Sequence, residues 1–432
     1  MPVENSRFKG FFRKSVEERR QAIAEAANLE SKHTDALAAY GDLDEEAANR
    51  MIENVIGTMS LPVGVATNFV IDDLHYIIPF CLEESSVVAA ASNMAKRCLK
   101  KGGFRTNSDD PVMIGQLQVL EVKDLNDAEE AIAAASDELI AFCNDIPSRM
   151  ISLGGGCKAI ETRQLPTPMG TMLIVHLLVD CRDAMGANAV NTMAERIAPK
   201  IEDLTGGRVH LRILSNLAAH RLARVEAIFT PEELANNGTP EEGRNIIEGI
   251  LEAHVFAEED PFRAATHNKG IMNAISSVAV ACGQDWRAIE AGCHAWASLN
   301  HGRYTSMSTW KKDSDGNLVG SMELPMAVGI VGGASKVHPV AQANLSILGV
   351  ESAQELAGIM VCAGLAQNLG ALRALSTSGI QAGHMKLHSK NMAVSAGAIG
   401  DEIELLAQRI QQHEGVRTQT MAEEWLAELR QG

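Results

Sequence analysis

The chain has 432 residues, enough for two or three domains, and its 46% apolar and 22% charged residues are those of a globular protein with a sizeable core. A formal charge of -17 argues against a nucleic-acid partner, because neutralising phosphates needs a basic face, and it confines any anionic ligand to a locally positive site. Met1–Arg20 lacks the apolar run of a secretory signal, and apolar stretches such as Met322–Ala334 are too short and Gly-rich to span a bilayer, so a cytoplasmic protein without a membrane partner is expected.

Residues 14–28 and 35–57 have helical spacing, and Leu61-Pro-Val-Gly-Val65 breaks that pattern before a short apolar strand at His75–Phe80. After Glu83-Glu84, small residues lead into a helix that ends at Lys100-Lys101-Gly102-Gly103, basic residues and then glycine. Ser85 or Ser86 is placed to cap its start. The two glutamates have two readings. They compensate the helix dipole, or one of them, sheltered by Cys81, Leu82, Val87 and Val88, serves as a proton donor.

Residues 110–215 have the clearest internal logic. Strand-like alternation at Val112–Val122 is followed by helical spacing at Asp127–Asn144. Two strands, Lys158–Leu165 and Gly170–Asp180, precede a helix at Ala187–Leu204 and a last strand at Arg208–Leu214. The order β-α-β-β-α-β predicts a ferredoxin-like unit inserted in a larger domain. Its second crossover begins Asp180-Cys-Arg-Asp183-Ala-Met-Gly186-Ala-Asn188. Free N–H groups at such a helix start suit a pyrophosphate, although the run is not a G-x-G-x-x-G fingerprint. Leu153-Gly-Gly-Gly-Cys157 reads either as a second ligand loop or as a flexible entry to the next strand.

From Asn216 the chain returns to the larger domain, with mostly helical spacing over Pro231–Phe256. Arg263-Ala-Ala-Thr-His-Asn-Lys-Gly-Ile-Met-Asn273 then packs an arginine, a histidine, a lysine and two asparagines among small or apolar neighbours. It is a polar helix start, or it aims Lys269 at a carbonyl or phosphate oxygen. Asp285 opens a helix running to about Leu299, as a cap or as a partner for Lys269. A hairpin follows at Tyr304–Leu324 with Asp-Gly at its turn, then a Gly-rich turn at Gly329–Pro339 and a helix at Gly364–Ser376. His384 and His388 share a helix face, but no H-E-x-x-H motif or third ligand accompanies them, so no metal is expected. Gly379 and Gly383 suit a hinge that brings His384 over a site, and 398–430 reads as two amphipathic helices. The eight cysteines, irregularly spaced and without C-x-x-C, read as reduced and mostly buried.

Taken together, Glu53–Gly57 (ENVIG), Glu83–Ser92 (EESSVVAAAS), Leu153–Cys157, Asp183–Glu195 (DAMGANAVNTMAE), Leu211–Leu217 (LRILSNL), Arg263–Asn273 (RAATHNKGIMN), Gly329–Pro339 (GIVGGASKVHP) and Gly379–His388 resemble the hydroxymethylglutaryl-CoA reductases, specifically their soluble bacterial and archaeal class. The resemblance runs in order over nearly the whole chain. It implies an α+β fold, with a mostly helical large domain (1–109 and 216–378), a ferredoxin-like nicotinamide-binding domain (110–215) and a helical C-terminal flap (379–432). It implies reduction of a thioester to an alcohol by two hydride transfers, giving mevalonate and free CoA, or the reverse. By resemblance Glu84, Lys269, Asp285 and His384 are catalytic. Arg263, Asn273, Ser86 and Asn216 would bind substrate, and Asp183, Met185, Gly186 and Asn188 the cofactor.

Some members that use NADH carry an aspartate a few residues before the LGGGC loop, where this chain has Pro147. Asp145 could serve NADH with a shifted backbone, whereas Ser148 and Arg149 would suit the 2′-phosphate of NADPH, the slightly favoured cofactor. The resemblance also implies a homodimer with the active site between subunits, assembled in some members into hexamers. Two rivals are a CoA thioesterase using His384 and His388, and a CoA-binding homologue without chemistry.

Overall fold

Residues 2–39, 43–146, 148–236, 238–299, 302–377, 389–413 and 415–431 are described by the computed structural model. Their strands form one four-stranded and one six-stranded sheet. The four-stranded sheet comprises β4 (Val112–Leu120), β5 (Gly156–Leu165), β6 (Met172–Asp180) and β7 (Arg208–Ser215), in the antiparallel order β5-β6-β4-β7. Its crossovers are α5 (Leu125–Ala134), α6 (Ser136–Asn144) and α7 (Arg149–Ser152) on one side of the sequence, and α8 (Ala187–Thr205) on the other. This is the expected ferredoxin-like order. The helix read at Asp127–Asn144 is two helices meeting at Ala135. Val190, Met193, Ile197 and Ile201, at helical spacing on α8, cover Leu117, Val175 and Leu177 of the sheet.

The six-stranded sheet runs β2-β1-β3-β8-β10-β9: β1 is Val63–Ile71, β2 Leu74–Cys81, β3 Phe104–Ser108, β8 Leu222–Phe229, β9 Ser308–Lys312 and β10 Leu318–Pro325. Only β2 and the β9–β10 hairpin were legible as strands. β1 hides behind Pro62 and Gly64 and carries an irregularity between Ala66 and Phe69, which shifts the phase of its alternation. Over this sheet pack α4 (Val87–Arg97), α11 (Pro261–Ala281) and α15 (Ala353–Leu375), with α10 (Pro240–Glu259) behind them. The helix α15 begins well before the expected Gly364. It is long and apolar enough to cross a membrane, and 83% of its apolar window is buried inside the protein, which makes it the core helix.

The helix expected over 35–57 is not continuous. After α1 (Val16–Ala26), α2 (Ser31–Ala38) ends and α3 (Glu45–Met51) begins afresh, its first turn capped by Asp44 Oδ1 accepting from Ala47 N at 2.6 Å. The elements α9 (Pro231–Leu234), α12 (Trp286–Leu299), α13 (Ala334–Val337) and α14 (Pro339–Leu348) complete the larger part. Near the C-terminus, Asp401–Gln412 and Gln419–Gln431 are helices as expected, and they close a small apolar cluster of Met392, Leu406, Ile410, Ala422 and Leu426. Gly379, Gly383, His384 and His388 lie outside the described residues. All eight cysteines are free, and all but Cys81 are buried.

Beneath α11 lies a buried polar knot. Trp310 Nε1 donates to Asn368 Oδ1 at 2.7 Å, which turns the amide so that Asn368 Nδ2 donates to His267 Nε2 at 3.0 Å. His267 is therefore the Nδ1–H tautomer. Desolvation first, and the nearby Arg263 second, push it down to about 3. The fold refuses a proton that the unfolded chain accepts below its ordinary 6.5, so stability falls as pH drops through that value and keeps falling towards 3. One such group contributes a slope of about 1.4 kcal/mol per pH unit. Melting temperatures between pH 6.5 and 4.5 should fall more steeply for the wild type than for His267→Gln, whose amide keeps a polar atom near Nε2 but does not titrate. Parallel slopes would exclude His267 as the acid-sensitive group.

Candidate active site

The strand β2 delivers Glu83 and Glu84 to the start of α4, directly beside α11. Asp260 Oδ1 caps α11 by accepting from Arg263 N at 2.8 Å, and Pro261 supplies its first residue. The Arg263–Asn273 run is thus the first three turns of a long helix. Lys269 and Asn273 stand one turn apart on its face. Lys269 Nζ meets Glu84 Oε2 at 2.7 Å, and Asn273 Nδ2 donates to the same oxygen at 3.2 Å. Glu84 is less sheltered than its apolar neighbours suggested, with 37% of its side chain exposed; Lys269 is 61% exposed.

Neither Ser85 nor Ser86 caps α4. Ser86 occupies the cap position with φ 76°, a left-handed conformation that side chains adopt at a cost, and its hydroxyl has no hydrogen-bond partner among the described residues. The Arg263 guanidinium likewise has no ion pair among the described residues, although burial presses its pKa down. Asp285 is not joined to Lys269 or Glu84: it accepts from Ala288 N at 3.2 Å as the cap of α12, and it pairs with Arg287 at 3.1 Å. Asn216 is exposed beyond the end of β7.

A cleft of about 2430 Å³ runs from Ser85 and Ser86 past Asp285 to Met185, Gly186 and Asn188. The Glu84–Lys269 pair stands beside it, outside its lining. At its far end Gly186 has φ 98°, and a Cβ there would lie 2.1 Å from Cys181 Sγ, so only glycine fits. No side chain caps α8, which leaves its first N–H groups for a ligand. Asp183 turns the other way, its Oδ1 accepting from Ala353 N at the start of α15 at 2.9 Å.

Further along the ferredoxin-like unit, Asp145 is held by Arg196, whose Nη2 lies 3.4 Å from Asp145 Oδ2. Ser148 and Arg149, at the start of α7, have side chains with no partner among the described residues. Pro147 lies outside the described residues. Two residues went unnoticed in the sequence: Gln284, whose Oε1 accepts from Gly329 N at 2.9 Å, and Arg221, buried behind the Asp183–Asn188 loop. Nothing local marks either one.

The profile of the hydroxymethylglutaryl-coenzyme A reductase family matches residues 15–389. The chain belongs to that family. It is 51% identical over 426 residues to a 3-hydroxy-3-methylglutaryl-coenzyme A reductase of Archaeoglobus fulgidus, covering 99% of this chain and 95% of that one. Its structure matches the Streptococcus pneumoniae reductase with a TM-score of 0.83 at 38% identity, over 98% of this chain and 100% of that one. A second structure, the class II S. pneumoniae reductase bound to NADPH in open conformations, matches with a TM-score of 0.81 at 38% identity, over 96% and 100% of the two chains. The chain is accordingly a hydroxymethylglutaryl-CoA reductase by function, a nicotinamide-dependent oxidoreductase that interconverts hydroxymethylglutaryl-CoA and mevalonate plus CoA. Neither the thioesterase nor the inactive-homologue reading finds support among these relatives.

Gly186→Ala tests how tightly the loop of this reductase is built. The left-handed backbone alone costs about 1–3 kcal/mol, and the Cys181 contact adds to it. The expected result is a lower melting temperature together with a weaker nicotinamide nucleotide affinity in fluorescence titration; an unchanged affinity would separate this loop from the cofactor.

Proposed function

We propose that Glu84, Lys269, Asp285 and His384 carry the chemistry, and the observation that carries this reading is the Lys269–Glu84 pair at 2.7 Å with Asn273 on the same carboxylate. Hydride reaching the thioester carbonyl creates an oxyanion, and Lys269, exposed and held in place from one side, stabilises it. Glu84 supplies the proton when the aldehyde intermediate is reduced, from the carboxyl group that Lys269 and Asn273 orient through Oε2. Asp285, one residue from Gln284 at the cleft wall, comes to Lys269 when the site is complete. His384 protonates the departing CoA thiolate, whose ordinary pKa of about 8.5 is near enough to histidine's for efficient transfer.

The guanidinium of Arg263, which has no ion pair among the described residues, binds the substrate's terminal carboxylate, and the hydroxyl of Ser86, without a partner among those residues, lies where the CoA chain enters, with Asn216 further out. Asn273 does more than bind substrate: its amide belongs to Glu84. The nicotinamide cofactor would supply the two hydrides, one from each of two molecules bound in turn. Met185, Gly186 and Asn188 hold it against the N–H groups at the start of α8, and Asp183 anchors their loop. NADPH is the preferred cofactor in this reading. Its supports are Ser148 and Arg149, whose side chains have no partner among the described residues, the engagement of Asp145 by Arg196, and the NADPH named in the S. pneumoniae complex.

The division of the chain into 1–109 with 216–378, 110–215 and a closing flap at 379–432 belongs to the same proposal. So does a cytoplasmic homodimer with the site between subunits, able to assemble into hexamers. Exposed Ile52, Ile56 and Met59, beside the cleft, support such an interface.

Lys269→Ala should lower kcat/KM for hydroxymethylglutaryl-CoA by a factor of about 10²–10³, the loss of one preorganised oxyanion donor, with circular dichroism unchanged because the side chain is exposed. Retained turnover would remove the lysine from the mechanism. Parallel assays with NADPH and NADH test the cofactor reading: Arg149→Ala should reduce the NADPH-to-NADH ratio of kcat/KM by about tenfold. A ratio that does not move would assign the selectivity elsewhere.

A further inference from the structure

Arg221 enters β8 with 4% of its surface exposed. No carboxylate forms an ion pair with it among the described residues. Instead Nη1 donates to Ala184 O at 3.2 Å and to Met185 O at 3.3 Å, and Nη2 donates to Val328 O. Burial pushes the guanidinium down to about 10, partly offset by Cys181, Asp180 and Asp183, so it stays charged at neutral pH. A buried cation satisfied only by main-chain carbonyls is costly to keep. Hydrophobic filling of the same space would not carry that cost.

The carbonyls it holds explain the charge. In a trans peptide the C=O and the N–H point in opposite directions. Drawing the carbonyls of Ala184 and Met185 back towards Arg221 therefore turns the N–H groups of Met185 and Gly186 away from it. Met185 and Gly186 line the cleft, and neither N–H donates a hydrogen bond among the described residues. The loop is tied down on its other side as well. Asp183 O accepts from Ile330 N at 2.9 Å and from Val331 N at 3.2 Å, while Gly329 approaches so closely that a Cβ would lie 2.4 Å from Met185 N. Arg221 reaches both sides of this joint, the loop through Ala184 and Met185 and the facing segment through Val328.

We propose that Arg221 is the positioning residue of the dinucleotide site: it clamps the Ala184 and Met185 carbonyls so that the Met185 and Gly186 N–H groups face the phosphates of the cofactor. It touches neither cofactor nor substrate. The proposal rests on the reading of Asp183–Asn188 as the cofactor loop.

The full-length protein is compared with Arg221→Met, Arg221→Lys and Asn188→Ala, reading the Kd of NADPH by fluorescence titration, the KM of each substrate, kcat and the melting temperature. Arg221→Met should raise the Kd and KM of the nucleotide by about tenfold or more, with the KM of hydroxymethylglutaryl-CoA little changed. Arg221→Lys, which keeps the charge but not the fork, should recover part of the affinity. If the methionine variant does not fold, the lysine variant decides: a raised nucleotide Kd at a near-normal melting temperature supports the clamp. An unchanged Kd, or equal rises in both KM values tracking a lowered melting temperature, overturns it. Asn188→Ala separates the two levels. If it weakens NADPH and the Arg221 variants do not, only the clamp fails; if it too leaves the Kd unchanged, the cofactor-loop reading fails and the clamp with it.

Discussion

The rotation of α11 about its own axis is the constraint on which the site depends, and one amide sets it. Asn268 has no exposed surface; its Nδ2 donates to Thr305 O at 2.8 Å and its Oδ1 accepts from Met307 N at 2.9 Å. Both ends of a side chain that cannot be rehydrated are therefore bound to a fixed segment of main chain. Rotating the helix would leave a buried donor and a buried acceptor unmade, each worth about 1–3 kcal/mol. With His267 and Asn268 turned inward, Lys269 and Asn273 emerge next to Glu84. The chemistry of an exposed lysine is thus aimed by a buried asparagine one residue away.

Charge is distributed to the same end. A chain of net charge -17 has to receive ligands that are themselves polyanions. The cleft answers locally, since its lining includes Arg7, Lys9, Arg19, Arg20 and Lys96. Some acidic residues elsewhere sit in solvent-facing pairs, such as Asp73 with Arg105 or Glu138 with Lys200, which contribute little to stability. The overall sign keeps unrelated polyanions away, while the local sign admits the right ones.

What the sequence made legible follows from the range over which each signal acts. The ferredoxin-like unit was readable because alternation in Val112–Leu120 and Met172–Asp180, and helical spacing in Ala187–Thr205, are local patterns. β1 changes phase at an irregularity, which hides it; β8 does alternate, with Ala223, Val225 and Ala227 buried and Arg224 and Glu226 outward, and it went unread although its signal is local. Asp285 illustrates a reading that splits, because its local role as a helix cap is present while the long-range partner suggested by family resemblance is not yet beside it. Arg221 and Gln284 carried no local mark. Their partners lie 36 to 107 and 45 positions away, and only the fold brings them together.

The two halves of the site are connected through very few groups. The Glu84–Lys269 half belongs to α4 and α11, and the loop half belongs to the start of α8. Between them stands the segment at Val328–Val331, held by Arg221 at Val328, by Gln284 at Gly329 and by Asp183 at Ile330 and Val331. Gln284 is the chain neighbour of Asp285. The support of the loop is therefore joined, through Gly329 and Gln284, to the carboxylate proposed to complete the lysine's surroundings. Loop and lysine lie in different parts of the fold, yet a single hydrogen bond of 2.9 Å and one peptide link separate the support of one from the partner of the other. On this geometry the Asp183–Asn188 loop and Asp285 share one support, the segment at Val328–Val331.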